Sequence, residues 1–200
     1  MQARDPVPIA AGSMRSRPRN LQREDAPGSS WVDLVAAARG GDRAAFGELH
    51  GLFKRVVHGV LLATIPPDDA GDLVQDVFLQ AMQKLASLRD DASFGSWLCQ
   101  IARNRAADFH RSRPPTEDLP EKLAAPEATA PPSAEAAKAL AAIRALPEAY
   151  RETLMMRLVE GLTGPEISER TGLTPGSVRV NLHRGMKLLR EQLNLDVGHE

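Results

Sequence analysis

Two clusters of cationic and amide side chains carry what chemistry this sequence holds. The first is Arg103, Asn104, Arg105, Asp108, Phe109, His110, Arg111 and Arg113, where four arginines stand against one aspartate between Trp97 and Arg113. The second is Thr174, Ser177, Arg179, Asn181, His183, Arg184 and Lys187, again with positive charge in excess. Guanidinium and amide groups hold phosphates and read base edges, so both clusters suit a polyanion. Between them, Pro114 to Ala137 sets Glu117, Asp118, Glu121, Glu127 and Glu135 against Lys122, an acidic bridge joining two basic islands. Charge by itself favours ordinary solvated helix faces. Position has to decide.

Other chemistry finds little support. His50, His58, His110, His183 and His199 make no metal-ligand spacing, no Gly-rich phosphate loop is present, and no nucleophile–base pair stands out. Asp72 and Asp76 share a helix face without further ligands. Cys99 is the only cysteine, which removes an internal disulfide framework and a cysteine metal site; its place beside Leu98 and Ile101 predicts burial. The expectation is no catalytic residue, no metal and no cofactor. The longest apolar runs are far too short to span a bilayer, and the arginines near the N-terminus precede no apolar stretch, so the chain reads as cytoplasmic.

The elements that must position the two clusters are helices. The 200 residues are 42% hydrophobic but only 4% aromatic, rich in Ala and Leu, which favours an all-α fold with an aliphatic core. Residues 1–30, with four prolines, five arginines and no apolar period, read as a disordered tail. Residues 31–113 predict a four-helix domain. Trp31, Leu34, Val35 and Ala38 open it, and Gly40–Gly41 ends the first helix. Asp42 caps a second carrying Phe46, Leu49, Phe53, Val56, Val57, Val60 and Leu61. A third follows Pro66–Pro67, with Leu73, Val74, Val77, Phe78, Ala81, Met82 and Leu85 inward. Ser93 caps the fourth, whose period runs through Phe94, Trp97, Leu98, Ile101 and Ala102. Residues 114–134, with six prolines, read as a linker, residues 135–195 as a second helical domain, and 196–200 as a tail.

The second domain is punctuated more sharply. Its helix from Glu148 carries Leu154, Met155, Leu158 and Val159 and stops at Gly161. Thr163 and Glu166 make a capping box with Pro165 early in the first turn, and Gly172 suits a left-handed C-cap. Thr174 then starts a basic helix. Two capped helices joined by a tight Gly turn are a helix-turn-helix signature, whose second helix enters the major groove. Ser177, Arg179, Asn181, His183 and Arg184 are its solvent-facing candidates, Lys187 and Arg190 suit phosphates, and Val178, Leu182, Met186 and Leu189 point inward. This pattern favours duplex DNA binding over an unremarkable surface helix. The first cluster stays open: it suits single-stranded DNA and equally a solvated helix end.

Here the chain resembles a known family. Gly41-Asp42, Ala45-Phe46, Asp72-Leu73-Val74-Gln75-Asp76-Val77-Phe78, Phe94, Trp97-Leu98, Ile101-Ala102-Arg103-Asn104 and Asp108 resemble the first domain of the extracytoplasmic-function sigma factors of bacterial RNA polymerase. Leu146-Pro147, Gly161-Leu162-Thr163, Glu166-Ile167, Gly172, Gly176-Ser177-Val178-Arg179 and Leu182-His183-Arg184 resemble their second domain. The match covers about residues 31–193 in the family's order. It implies a two-domain architecture, region-2-like then region-4-like, and core RNA polymerase and promoter DNA as partners. It places the helix of Asp69, Asp72, Gln75 and Asp76 on the clamp of the largest polymerase subunit, although those residues alone read as an ordinary amphipathic helix. It assigns Asn104 the capture of a base flipped from the melted −10 element, with Arg103, Arg105, Arg111 and Arg113 along the strand. It assigns the −35 duplex to the second cluster, and it implies control by an anti-sigma factor covering both domains.

Three features depart from that family. Gly164-Pro165 stand where acidic or aromatic residues are common, Asn181 where a basic residue is common, and the segment before Trp31 is longer than the family needs. The rival reading is a conventional helix-turn-helix regulator acting without polymerase.

Overall fold

In a computed structural model, residues 30–112 and 134–197 are described, and residues 1–29, 113–133 and 198–200, with most of the expected tail and linker, lie outside them. The described residues form eight helices and no strand. They are α1 (Trp31–Arg39), α2 (Arg43–Leu62), α3 (Pro67–Lys84), α4 (Phe94–Ser112), α5 (Ala134–Arg144), α6 (Glu148–Leu154), α7 (Gly164–Thr171) and α8 (Pro175–Val197). Local signals set most of their ends. Asp42 accepts from the Ala44 and Ala45 amides at 2.8 and 3.2 Å, and Gly41 takes φ +101. Ser30 and Asp33 add a capping box to α1, beyond the caps expected from residue type. Before α4, Asp90 caps a single turn of 3-10 helix, Asp91–Ser93, accepting from the Ala92 amide and the Ser93 hydroxyl.

The first bundle closes around Phe53, whose ring meets Trp31 and Phe94 edge-on at centroid distances of 5.7 and 5.1 Å. Leu49, Val56, Val57, Leu61, Val77, Leu98 and Ala102 complete this core, all buried. Met82 departs from its expected inward place and is half exposed. It lines an open groove with Ala38, Phe46 and Leu85.

In the second bundle α6 crosses α8 at Gly185, where a Cβ would lie 2.9 Å from Leu154 Cδ1 and 3.1 Å from Tyr150 Cβ. After Leu154 the chain widens into one π turn, Met155–Val159. The extra residue in that turn rotates the downstream side chains about the helix axis. Met155 and Met156 are driven into the core, while Leu158 and Val159, expected on the inner face, are each 47% exposed.

Where the helices of the two bundles meet, Leu154, Met155, Met156, Leu162 and Ile167 join Phe53, Val60 and Phe94 in one apolar cluster. Arg144 at the end of α5 donates to the carbonyls of Leu62 and Ile65, which are left over where α2 runs out.

Candidate nucleic-acid interface

The helix-turn-helix is built as its punctuation foretold. Thr163 N–H donates to Glu166 Oε2 at 2.8 Å, and the Glu166 amide donates back to Thr163 Oγ1 at 3.4 Å. The Thr163 backbone bond, followed by its hydroxyl bond, holds the Glu166 carboxyl below the ordinary glutamate range. Gly172 takes φ +76, a left-handed conformation that reverses the chain without Cβ strain. Thr174 Oγ1 accepts from the Ser177 amide at 3.1 Å and caps α8. Val178 and Leu189 are buried beneath this helix, with Leu182 and Met186 partly so.

From that platform Thr174, Ser177, Arg179, His183, Arg184 and Lys187 are exposed. Among the described residues no carboxylate pairs with Arg179 or Arg184, while Lys187 lies 3.9 Å from Glu191 one turn on. Asn181 is the exception: expected outward, it is half-buried and donates to Thr153 Oγ1 of α6 at 3.4 Å. It lies three residues from Val178 and four from Gly185, both on the side of α8 that packs inward, which puts it on the edge of the packed face.

The first cluster lies along α4 and divides by helix face. Asn104 is exposed and accepts from Gln100 Nε2 at 3.0 Å. His110 and Arg111 are exposed, Arg111 pairing with Asp108, and Phe109 packs partly against the core. Arg103 and Arg105 lean on carboxylates of neighbouring helices while staying partly exposed. Arg103 makes a two-pronged bond to Glu152 of α6, Nε to Oε1 at 2.8 Å and Nη2 to Oε2 at 2.7 Å. Arg105 donates to Asp76 Oδ2 of α3 from Nη2 at 2.5 Å and from Nε at 3.2 Å. Arg113 is outside the described residues. Cys99 lies one turn before Arg103, buried as expected, and burial pushes its thiol up to about 12. A thiol that far above neutrality is a poor nucleophile.

On α3, Asp72 and Gln75 are exposed and Asp69 and Asp76 half-exposed, while Leu73, Val77 and Phe78 are buried. Leu79 and Met82 continue the exposed side, 54% and 50% open. The acidic edge therefore runs on into Leu79, which the residue pattern did not single out, and Met82, which it placed inward; their spacing of seven and ten residues from Asp72 was the available signal. Glu152 was also missed. Nothing local marks it, since its partner Arg103 is 49 residues away. Among the described residues no group of His, Cys, Asp and Glu could hold a metal ion, and no helix is long and apolar enough to cross a membrane.

Comparison with known proteins accounts for both halves of this arrangement. Residues 46–114 match the family Sigma-70 region 2, and residues 136–189 match Sigma-70, region 4. The ECF RNA polymerase sigma factor SigD of Mycobacterium bovis is 31% identical over 174 residues, covering 80% of this chain and 82% of SigD. The ECF RNA polymerase sigma-E factor of Escherichia coli K12 is 27% identical over 172 residues, covering 78% of this chain and 90% of that protein. The solved structure of CnrH in complex with the cytosolic domain of CnrY matches with a TM-score of 0.57 and 25% identity, over 82% of this chain and 97% of CnrH. A stand-alone helix-turn-helix regulator would leave the first of the two regions without a role. The chain belongs to the extracytoplasmic-function (ECF) family of RNA polymerase sigma factors.

Proposed function

We propose that this sigma factor docks on core RNA polymerase through the outer face of α3 and delivers it to promoters read by α4 and α8. Asp69, Asp72, Gln75 and Asp76 form the docking edge, directed at the clamp of the largest subunit. Asn104, with both a donor and an acceptor, takes the flipped −10 base, while Arg103, Arg105, His110, Arg111 and Arg113 follow the strand beside Asp108 and Phe109. Thr174, Ser177, Arg179, His183, Arg184 and Lys187 engage the −35 duplex. Arg179 and Arg184 are suited to base edges and Lys187 to phosphate. With Asn181 turned toward Thr153, base reading falls to its neighbours. The protein makes and breaks no bonds itself, and it acts in the cytoplasm where polymerase and promoters are. The domain limits that go with this reading are 31–113 for polymerase and −10 contact and 135–195 for −35 contact.

The observation that carries this reading is the Thr174-capped α8 behind the Gly172 turn, presenting Arg179, His183 and Arg184 outward over a buried Val178. Control falls to an anti-sigma factor that covers both domains, a reading supported by CnrH having been solved with a cytosolic partner domain. The test is multi-round transcription on sheared genomic DNA by bacterial core polymerase, with and without the protein, sequencing transcript 5′ ends. New starts sharing a two-block upstream motif are expected. No new starts, with the free protein still shifting a duplex fragment, would return the regulator reading.

A further inference from the structure

Helix α8 turns directly away from the core at Val180. With 3.6 residues per turn, Val180 stands about 200° around the helix from Val178. Val178 is 2% exposed and packs beneath the helix, whereas Val180 is 44% exposed. Its neighbours one turn away are Gly176 and Ser177 before it and His183 and Arg184 after it, all exposed. They frame Val180 without covering it: a Cβ on Gly176 would meet nothing nearer than Thr174 Oγ1, at 3.9 Å.

The polar side chains of this face lie off its centre line. Arg179 lines a groove with Gly164, Pro165, Ser168 and Glu169, on the side of α8 next to α7. The Ser177 hydroxyl lies 2.8 Å from Thr174 Oγ1 and already has a partner within the cap. His183 and Arg184 fall about 60° and about 40° to opposite sides of Val180, and Lys187 returns close to its line two turns further on. The early turns of a recognition helix are those that reach base edges. At the centre of that surface stands an isopropyl group.

An aliphatic side chain can read only one feature of the major groove. Thymine presents its 5-methyl group there, while the other bases present hydrogen-bond donors and acceptors. Set against a polar edge, valine strips water away and returns no hydrogen bond. Set against the methyl, it buries carbon on carbon, which is worth roughly fourfold in affinity for one such group.

We propose that Val180 is a specificity-determining residue, reading a thymine of the −35 element through its 5-methyl group. It adds an apolar reader to the polar set of Arg179, His183 and Arg184, and it rests on the promoter reading above. The mapped starts should therefore share a thymine within the −35 block, on one strand or the other.

The test removes that methyl from the DNA and the isopropyl from the protein. Duplexes of the mapped promoter are made with each −35 thymine, on either strand, replaced singly by uracil, which pairs identically and lacks only the 5-methyl. Their competition with a labelled promoter is measured for wild-type and V180A protein, each assembled with core polymerase. At one thymine, uracil should weaken wild-type binding roughly fourfold and leave V180A unaffected. V180A on the thymine duplex should bind as the wild type binds the uracil duplex, the non-additivity of two groups in contact. Val180 is exposed and alanine favours helix, so V180A should melt no lower than the wild type by circular dichroism. A −35 block without thymine, no uracil-sensitive position, or a uracil loss of equal size in V180A would overturn the proposal. If multi-round transcription yields no new starts, the promoter reading fails and Val180 falls with it. Once starts appear, the uracil series alone decides Val180.

Discussion

Helix α4 has its arginines answered from within the molecule: Arg103 by Glu152, Arg105 by Asp76, Arg111 by Asp108. Helix α8 points Arg179 and Arg184 outward, with only the long Lys187–Glu191 pair beside them. The two helices are nearly equal in length and similar in charge, yet one is partly sheathed and the other open. The difference comes from the elements on each side. The helix α4 is sandwiched, with α3 and α2 on one flank and α6 and α7 on the other, so Arg103 and Arg105 meet carboxylates that belong to other helices, while Arg111 pairs within α4. The helix α8 packs through one stripe, and its remaining circumference faces solvent. A basic helix is therefore not automatically a DNA-ready helix; readiness depends on how much of its surface the rest of the fold occupies.

The contrast can be broken hardest at its common support. Phe53→Ala empties the contact between Trp31 and Phe94 and should cost about 3–5 kcal/mol. Because α4 and α8 belong to one core, thermal unfolding followed by circular dichroism should stay a single transition at a lower midpoint. Two separated transitions would show that the helices melt independently.

At the next scale the two helices should respond with opposite signs. Arg184→Ala removes an open cation and should weaken duplex −35 binding by the polymerase complex by about 1–3 kcal/mol if it reads one base pair. Asp76→Ala instead releases Arg105, so binding of a −10 single strand should tighten severalfold while polymerase docking weakens. Fluorescence anisotropy on both DNAs, with a pull-down on core polymerase, separates these outcomes; weakening on both DNAs would contradict a sheathed α4.

A smaller effect concerns phosphate contact. Lys187→Ala should lower −35 affinity uniformly across sequences and reduce the slope of log affinity against log salt by about 1. A sequence-dependent loss would instead make Lys187 a base reader.

The smallest effect is on the acid side. Hydrogen bonds from Thr163 depress the Glu166 carboxyl, so the ionised capping box adds stability above the unfolded value of about 4.3, and that stability drains away as pH falls through the lower folded value. Urea melts taken from about pH 6 down to about pH 3 should therefore lose less stability in Glu166→Gln than in the wild type. Equal slopes would mean the box contributes nothing to the second bundle.

Much of this protein is determined within a few residues of chain. Asp42, Gly41, the Thr163–Glu166 box, Gly172 and Thr174 act on amides and carbonyls one turn away, so the ends of α2, α7 and α8 can be read directly from residue types. The apolar periods likewise marked most of the core, because a helix repeats its face every 3.6 residues wherever it is placed. The errors came where that assumption failed. The π turn broke the period and turned Leu158 and Val159 outward. Met82 faces an open groove between α1, α2 and α3, and the crossing of α6 over α8 at Gly185 drew Asn181 toward Thr153. Partners between the bundles could not be inferred at all. Glu152 and Arg103 are 49 residues apart, and Trp31 and Glu169 are 138 apart. Helix ends are settled by neighbours in sequence; which cations stay open and which are clasped is settled by neighbours in space, and only the packing of the two bundles chooses those.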